Sequence, residues 1–245
     1  MSDARGYFDA KAAGVASSYV DRRWQGTPLR REHYLQTRES LLRALEGRRF
    51  QSLVEVGAGP CTWTGLLAER SRRVVALDLS LEMLKGCPVE MAGLTRCCGE
   101  AASLPLRAGS VDALCSVRAL EYFPDKAAAL AEFHRVLRPG GFLLLVTKNR
   151  AYEGHAPRRG ETPEDNSDKR AMHGGTVTAE ELAALLGGQG FSALAVRAAV
   201  LGRTRLVFLW TLIRLIRRLV DPVSPAGLPR LLSGAVESLL VTARR

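Results

Sequence analysis

The sequence predicts an α/β fold, a doubly wound and mostly parallel sheet with helices on both faces, and three observations predict it. First, short apolar runs around Val54, Val74–Leu77, Val111–Cys115 and Phe142–Val146 alternate with helix-like stretches of about ten to fifteen residues. Crossovers of that length join parallel strands. Second, Glu55, Asp78, Glu100 and Ser116 all fall at or near the ends of such runs. In an open parallel sheet, ligands sit outside the carboxyl ends of the strands, so one rim collects these polar groups. Third, Val136-Leu137-Arg138-Pro139-Gly140-Gly141-Phe142-Leu143-Leu144-Leu145-Val146 reads as a helix end, a Pro-Gly-Gly turn and a wholly apolar strand entering the sheet centre.

The first element is Val54-Glu55-Val56-Gly57-Ala58-Gly59-Pro60-Cys61, which follows a charged break at Arg48-Arg49 and leads into a helix-like stretch from Thr62 to Arg70. A dinucleotide-binding turn needs a third glycine three places after the second; Thr62 stands there, so that fingerprint is not met. Gly57 and Gly59, with Ala58 between them, let backbone lie against a ligand. Glu55 brings a charge that suits an ammonium group, directly or through water. The plainer alternative is a tight turn after a buried strand. The second element, Arg72 to Ser80, ends in Asp78, about 20 residues beyond the turn, the spacing at which nucleotide sites place an acid against ribose hydroxyls. One carboxylate can accept both of their hydrogen bonds. Leu79 is then placed to pack on an adenine face. The alternative role for Asp78 is a cap on the helix starting near Ser80.

A short third strand, Thr95 to Cys98, leads into Gly99-Glu100-Ala101-Ala102-Ser103-Leu104-Pro105-Leu106. The E-x-G-x-G turn at 55–59 resembles motif I of the class I S-adenosylmethionine-dependent methyltransferases. Residues 99–106 resemble the G-D-A-x-x-L-P-F segment of the type 11 family, which includes the ubiquinone and menaquinone C-methyltransferases. The resemblance implies a Rossmann-like sheet with S-adenosylmethionine as cofactor. Glu100 would accept a hydrogen bond from the adenine amino group, and the Ala101 N–H would meet a ring nitrogen. Ser110-Val111-Asp112-Ala113-Leu114-Cys115-Ser116 resembles the family's S-F-D-x-V-x-S strand. By that likeness Asp112 is structural, and Ser116 to Phe123 face the sulfonium. Thr178-Ala179-Glu180-Glu181-Leu182 with Gly190-Phe191 resembles the closing T-x-E-E-L…G-F unit, with Thr178 and Glu181 forming a capping box. The likeness covers roughly residues 50 to 195. Its main departure is Cys61, where the family usually has a third glycine; a slightly tighter pocket is expected.

Three segments follow: a helical lid over residues 1–48, a cofactor-binding domain over 49–200 and a basic amphipathic helical tail over 201–245. The lid expectation rests on Tyr7, Phe8, Tyr19, Trp24 and Tyr34, with ordinary helix packing as the alternative. The net charge is +10, and residues 197–245 hold nine arginines against Asp221 and Glu237. Leu206 to Val220 is too short to span a bilayer as a helix but suits one lying in a membrane interface, with Trp210 near the head groups. Packing on the domain, or a homodimer contact, is the alternative. A second apolar stretch, Leu231 to Val241, is expected to fold back beside the first. The five cysteines show no zinc spacing and read as free thiols in a reducing cytoplasm, with the protein cytoplasmic or peripheral at the inner face of a membrane.

The expected chemistry is methyl transfer to a small, hydrophobic acceptor: a lipid, quinone or natural product. Orientation and exclusion of water carry most of that reaction, and a general base is needed only for a tightly held acceptor proton. His173 leads the catalytic candidates, ahead of Glu121, Tyr122 and His155. No metal set is expected, since the histidines are scattered. RNA methylation is disfavoured, because Ser116-Val117-Arg118-Ala119 follows the fourth strand where a base methylase would carry N-P-P-Y or D-P-P-Y. A binding protein that has lost turnover is the non-enzymatic alternative.

Overall fold

The computed structural model describes residues 4–12, 20–152, 175–202 and 235–245. His155, His173 and all but the first two residues of the expected interface segment 201–220 lie outside them. Helix α1 (Ala4–Ala12), a π-helical turn (Asp21–Gln25) and α2 (Pro28–Ala44) precede the sheet. Then follow β1 (Phe50–Val56), α3 (Thr64–Ala68), β2 (Ser71–Asp78), α4 (Leu81–Lys85), β3 (Leu94–Cys98) and β4 (Val111–Val117). A 3-10 turn (Leu120–Tyr122), α5 (Lys126–Val136), β5 (Leu137–Lys148), α6 (Ala179–Gly188), β6 (Ser192–Leu201) and β7 (Val236–Arg244) complete the order.

The seven strands form one sheet in the order β3-β2-β1-β4-β5-β7-β6. Strands β1 to β5 pair in parallel, and β7 runs antiparallel to both its neighbours. The central strands are buried on both faces, as their unbroken apolar runs require: Leu114, Cys115, Leu143, Leu144 and Leu145 have no exposed surface. One face packs Leu130, Phe133, Leu182 and Leu186 from α5 and α6; the other packs Leu41 and Leu45 from α2 and its end, with Trp63. Each such side chain contributes about 1.5–3 kcal/mol by leaving water. Asp112 acts on the fold, at the end of the sheet away from the cavity described below: it accepts from the Gln51 and Ser52 N–H groups at 2.7 and 2.9 Å and pairs with Arg138 at 2.6 Å. The capping box on α6 is present in both directions, Thr178 N–H to Glu181 at 2.9 Å and Glu181 N–H to Thr178 at 3.3 Å.

Three expectations change. The domain does not close near residue 200. The stretch 236–244, expected in a helical tail, is the strand β7 inserted between β5 and β6. Its residues Val236, Leu239, Leu240 and Val241 are buried in the sheet, where apolar side chains gain most by leaving water. Next, the thiols are not all free: Cys61 and Cys87 form a disulfide, leaving Cys97, Cys98 and Cys115 free. Both partners are buried, so the two small side chains meet where the glycine turn passes the end of α4. Finally, the N-terminal aromatics divide between two jobs. Trp24 and Tyr34 pack on Trp63, with ring centroids 5.3 and 4.9 Å away, as ordinary core. Phe8 meets Tyr122 edge to face at 5.1 Å on the rim above the sheet. Among the described residues no helix is long and apolar enough to cross a membrane.

Candidate active site

A cavity of about 530 Å³ opens at the carboxyl ends of β1 to β4, within the range of small-molecule sites. The β1 turn forms its floor. Gly57 has φ +76°, and a Cβ there would stand 2.3 Å from the Cβ of Ala119, so only glycine lets the turn lie this close to the β4 loop. Gly59 (φ +52°) and Cys61 (φ +59°) continue the left-handed path. Gly57 and Gly59 line the cavity with Asp78, Leu79, Glu100 and Ala101; Arg5, Phe8, Arg23, Arg118 and Tyr122 complete the wall from other elements.

Asp78 joins two of these parts. Its carboxylate accepts from the Gly59 N–H at 2.7 Å and the Ser80 N–H at 2.9 Å, so it holds the glycine turn and the start of α4 together. Burial pushes its pKa above the ordinary value despite those donors. A carboxylate has about four acceptor sites, so capacity remains toward the cavity. The helix cap belongs to Ser80, whose hydroxyl accepts from Met83 N–H at 3.1 Å and donates to Asp9 of α1. Glu100 sits on the exposed rim. Its loop is pinned from α5: Glu132 accepts from Leu104 N–H at 2.8 Å, and Arg135 donates to the carbonyls of Leu106 and Leu104 at 2.9 and 3.1 Å.

Three expected site residues are not on the wall. Glu55 is wholly buried beneath the turn, where its carboxyl accepts from Thr64 on α3. Burial pushes its pKa to about 8, so at neutral pH in the ligand-free protein it is protonated. It therefore braces the turn rather than presenting a charge. Ala58 points into the small core around Cys61 and Cys87. Ser116 is buried in β4, its Oγ without a hydrogen-bond partner among the described residues.

A charged cluster beyond β4 was missed in the sequence. Arg118 has φ +60° and is buried, with Nε on Glu121 at 3.2 Å and Nη1 on Glu237 at 3.2 Å and on Ser238 at 3.0 Å. Thr147 donates to Glu121 at 3.1 Å. Burial opposes the charge on Glu237, but Arg118 and Ser238 bring its pKa down to about 2. Burial and Arg118 lower Lys148 to about 8. The reversed direction of β7 brings Glu237 and Ser238 here, because its first residues pair with the last of β5, Ser238 opposite Lys148. No local motif announces a partner 119 residues away. Glu121, a catalytic candidate, is thus committed to Arg118; burial opposes its charge, but Arg118 and Lys148 outweigh burial and leave it below the ordinary carboxylate range.

A family model described as a methyltransferase domain, type 11, matches residues 54–145. The chain carries a type 11 methyltransferase domain. Its sheet is the Rossmann-like one of the class I, S-adenosylmethionine-dependent methyltransferases. The domain is 35% identical over 109 residues to a malonyl-[acyl-carrier protein] O-methyltransferase of Salmonella typhimurium, a match covering 44% of this chain and 43% of that protein. The chain spans about half or less of the length of the curated relatives it matches. In fold, a Haloferax volcanii methyltransferase solved with the Trm112 activator superposes with TM-score 0.65 at 19% identity, over 97% of this chain and 96% of that one. Haemonchus contortus phosphoethanolamine N-methyltransferase 2, solved with phosphomonomethylethanolamine and S-adenosylhomocysteine, does so with TM-score 0.67 at 17% identity, over 98% of this chain and 60% of that one.

Proposed function

We propose that this protein moves a methyl group from S-adenosylmethionine to a small, hydrophobic acceptor. The observation that carries the reading is the cavity over the Gly57–Gly59 turn, with Asp78 in its wall and no room for a side chain at Gly57. The residues fit the cofactor. Asp78 has acceptor capacity for ribose hydroxyls, Leu79 offers an apolar surface to a purine, and Glu100 and Ala101 supply an acceptor and a backbone donor at the rim. When bound, the cofactor supplies an activated methyl group on a sulfonium.

The chain's own work is to hold two molecules in line and keep water out. Phe8, Tyr122, Phe123 and Pro124 form an apolar wall beside the β4 loop, which α1 reaches through the Phe8–Tyr122 contact, while the Ser80–Asp9 bond ties α1 to the start of α4. In this reading α1 is a lid that shields the reacting atoms, and the apolar wall selects the acceptor. A general base at His173 remains a proposal about a residue outside the described ones. So does docking of residues 201–220 on the inner face of a membrane, which liposome flotation with and without residues 203–234 tests.

Calorimetry with S-adenosylhomocysteine tests the central reading. Wild type is expected to bind, and Asp78→Ala to lose about 3 kcal/mol, more than a hundredfold in affinity, from two charge-assisted hydrogen bonds. Binding that is indifferent to Asp78 refutes the assignment. A labelled methyl donor incubated with fractionated metabolite extract then finds the acceptor.

A further inference from the structure

We infer that Arg118 reads the acceptor and that the acceptor carries an oxyanion, a carboxylate in the simplest case. This rests on the methyl-transfer reading above and adds the chemistry of the second substrate. Arg118 combines three properties that a mere tie between strands does not need. It lines the cavity although its residue is almost wholly buried. Its backbone is left-handed at φ +60°, a conformation unfavourable for a non-glycine residue, so the direction of this side chain is held against a local penalty. Its guanidinium is also only partly used. Nε serves Glu121, and Nη1 serves Glu237 and Ser238, while Nη2 has no hydrogen-bond partner among the described residues. A guanidinium has five N–H donors, so two remain.

The buried acids fix the fork and leave Nη2 for a ligand. The position favours the acceptor over adenosine. Asp78 and Glu100 stand at the ends of β2 and β3, and Arg118 follows β4, on the other side of β1. Two strand spacings, roughly 10 Å, separate the Asp78 and Arg118 positions along the rim. Arg5 and Arg23 bring two more guanidiniums to the same cavity, and Lys148 lies close enough to Arg118 and Arg23 for their charges to depress its pKa. Around them the wall is aromatic and aliphatic, through Phe8, Ala119, Tyr122 and Phe123. In such a low-dielectric wall a charge-assisted bond discriminates strongly against a neutral isostere, whose amide would turn donors toward donors.

The test loads the protein with S-adenosylhomocysteine and titrates short-chain aliphatic carboxylates against their matched primary amides by calorimetry. Wild type is expected to bind the acids and not the amides. Arg118→Lys, which keeps the charge for Glu121 and Glu237, should weaken the acids about tenfold, one charge-assisted hydrogen bond, while affinity for S-adenosylhomocysteine stays within about twofold. Equal binding of acids and amides by wild type overturns the proposal without any variant, so a misfolded Arg118→Lys does not shield it. Unchanged acid binding by a folded Arg118→Lys also overturns it and makes Arg118 a tie between β4 and β7. Methylthioadenosine separates the other source of a carboxylate. If the variant loses S-adenosylhomocysteine but keeps methylthioadenosine, which lacks the amino-acid arm, the Nη2 donors belong to the cofactor and the proposal falls. Failure of wild type to bind S-adenosylhomocysteine strikes the methyl-transfer reading instead.

Discussion

Changing both Cys61 and Cys87 to serine removes a cross-link whose partners are 26 residues apart. In the chain-entropy description, closing a loop of that length lowers the entropy of the unfolded chain by about 12 cal/mol/K, or about 3.5 kcal/mol at 25 °C. Native strain reduces this, so the figure is a ceiling. For a protein of this size each kcal/mol moves the melting temperature by about 2–4 °C, which puts the expected drop at up to about 14 °C. The loss should also be local. Cys61 ends the turn that forms the cavity floor, and Cys87 follows α4, whose Met83 lines the same cavity. Freeing them lets the turn fluctuate, and affinity for S-adenosylhomocysteine should fall with stability. The assay is a melt followed by tryptophan fluorescence, run on wild type with and without dithiothreitol and on the double variant without it. Reduced wild type and the double variant should coincide. Thiol titration of the unreduced, denatured protein should find three of the five cysteines. Five reactive thiols, or melts that ignore the reductant, would refute the pairing and with it the account of Cys61 as a brace for the turn.

Gly57→Ala should abolish measurable cofactor binding and destabilise the protein by more than 1 kcal/mol, because φ is +76° and the new methyl would collide with Ala119; a variant that melts and binds like wild type would mean the turn is looser than described. Glu55→Gln should leave S-adenosylhomocysteine affinity within about threefold, since the residue is buried beneath the wall and protonated at neutral pH. Its stability has a distinctive sign. The wild-type folded state keeps a proton up to about pH 8 that the unfolded chain releases from about 4.5, so wild type loses stability across that window and the glutamine variant does not. Denaturant melts from pH 5 to 8 that run parallel for the two proteins would contradict the protonation. Glu237 has the opposite sign: its pKa falls from 4.5 to about 2, so its contribution is complete above about 4.5 and is lost as pH drops toward 2. That shift corresponds to about 3 kcal/mol, and the stability gap between wild type and Glu237→Gln should narrow below pH 4.5 in acid denaturation curves.

What could be read from the sequence and what could not divide along one physical line. The buried stretches of β1, β2, β4 and β5 announce themselves because a parallel strand covered on both faces must be largely apolar, whereas the edge strand β3 is largely exposed; the groups at the strands' carboxyl ends follow from topology, which places Gly57, Asp78 and Glu100. Local hydrogen bonding was equally legible, as in the Thr178–Glu181 box. Strand β7 was not, since an apolar stretch such as Leu231–Val241 satisfies a helix and a strand equally, and only the vacancy between β5 and β6 decides. Everything that depends on β7 was lost with it. Glu237 and Ser238 cannot be set against Arg118 from sequence alone, so Glu121 reads there as a catalytic candidate although Arg118 holds it. Glu55 failed for a related reason. Its position in the motif is legible, but its burial depends on Thr64 and the depth of the turn, and burial reverses its protonation at neutral pH. The cofactor half of the site is thus written locally along β1 to β3. The acceptor half is assembled from β4, β5, β7 and the N-terminal helices, which is why the type 11 match, ending at residue 145, carries the first half and leaves the second to geometry.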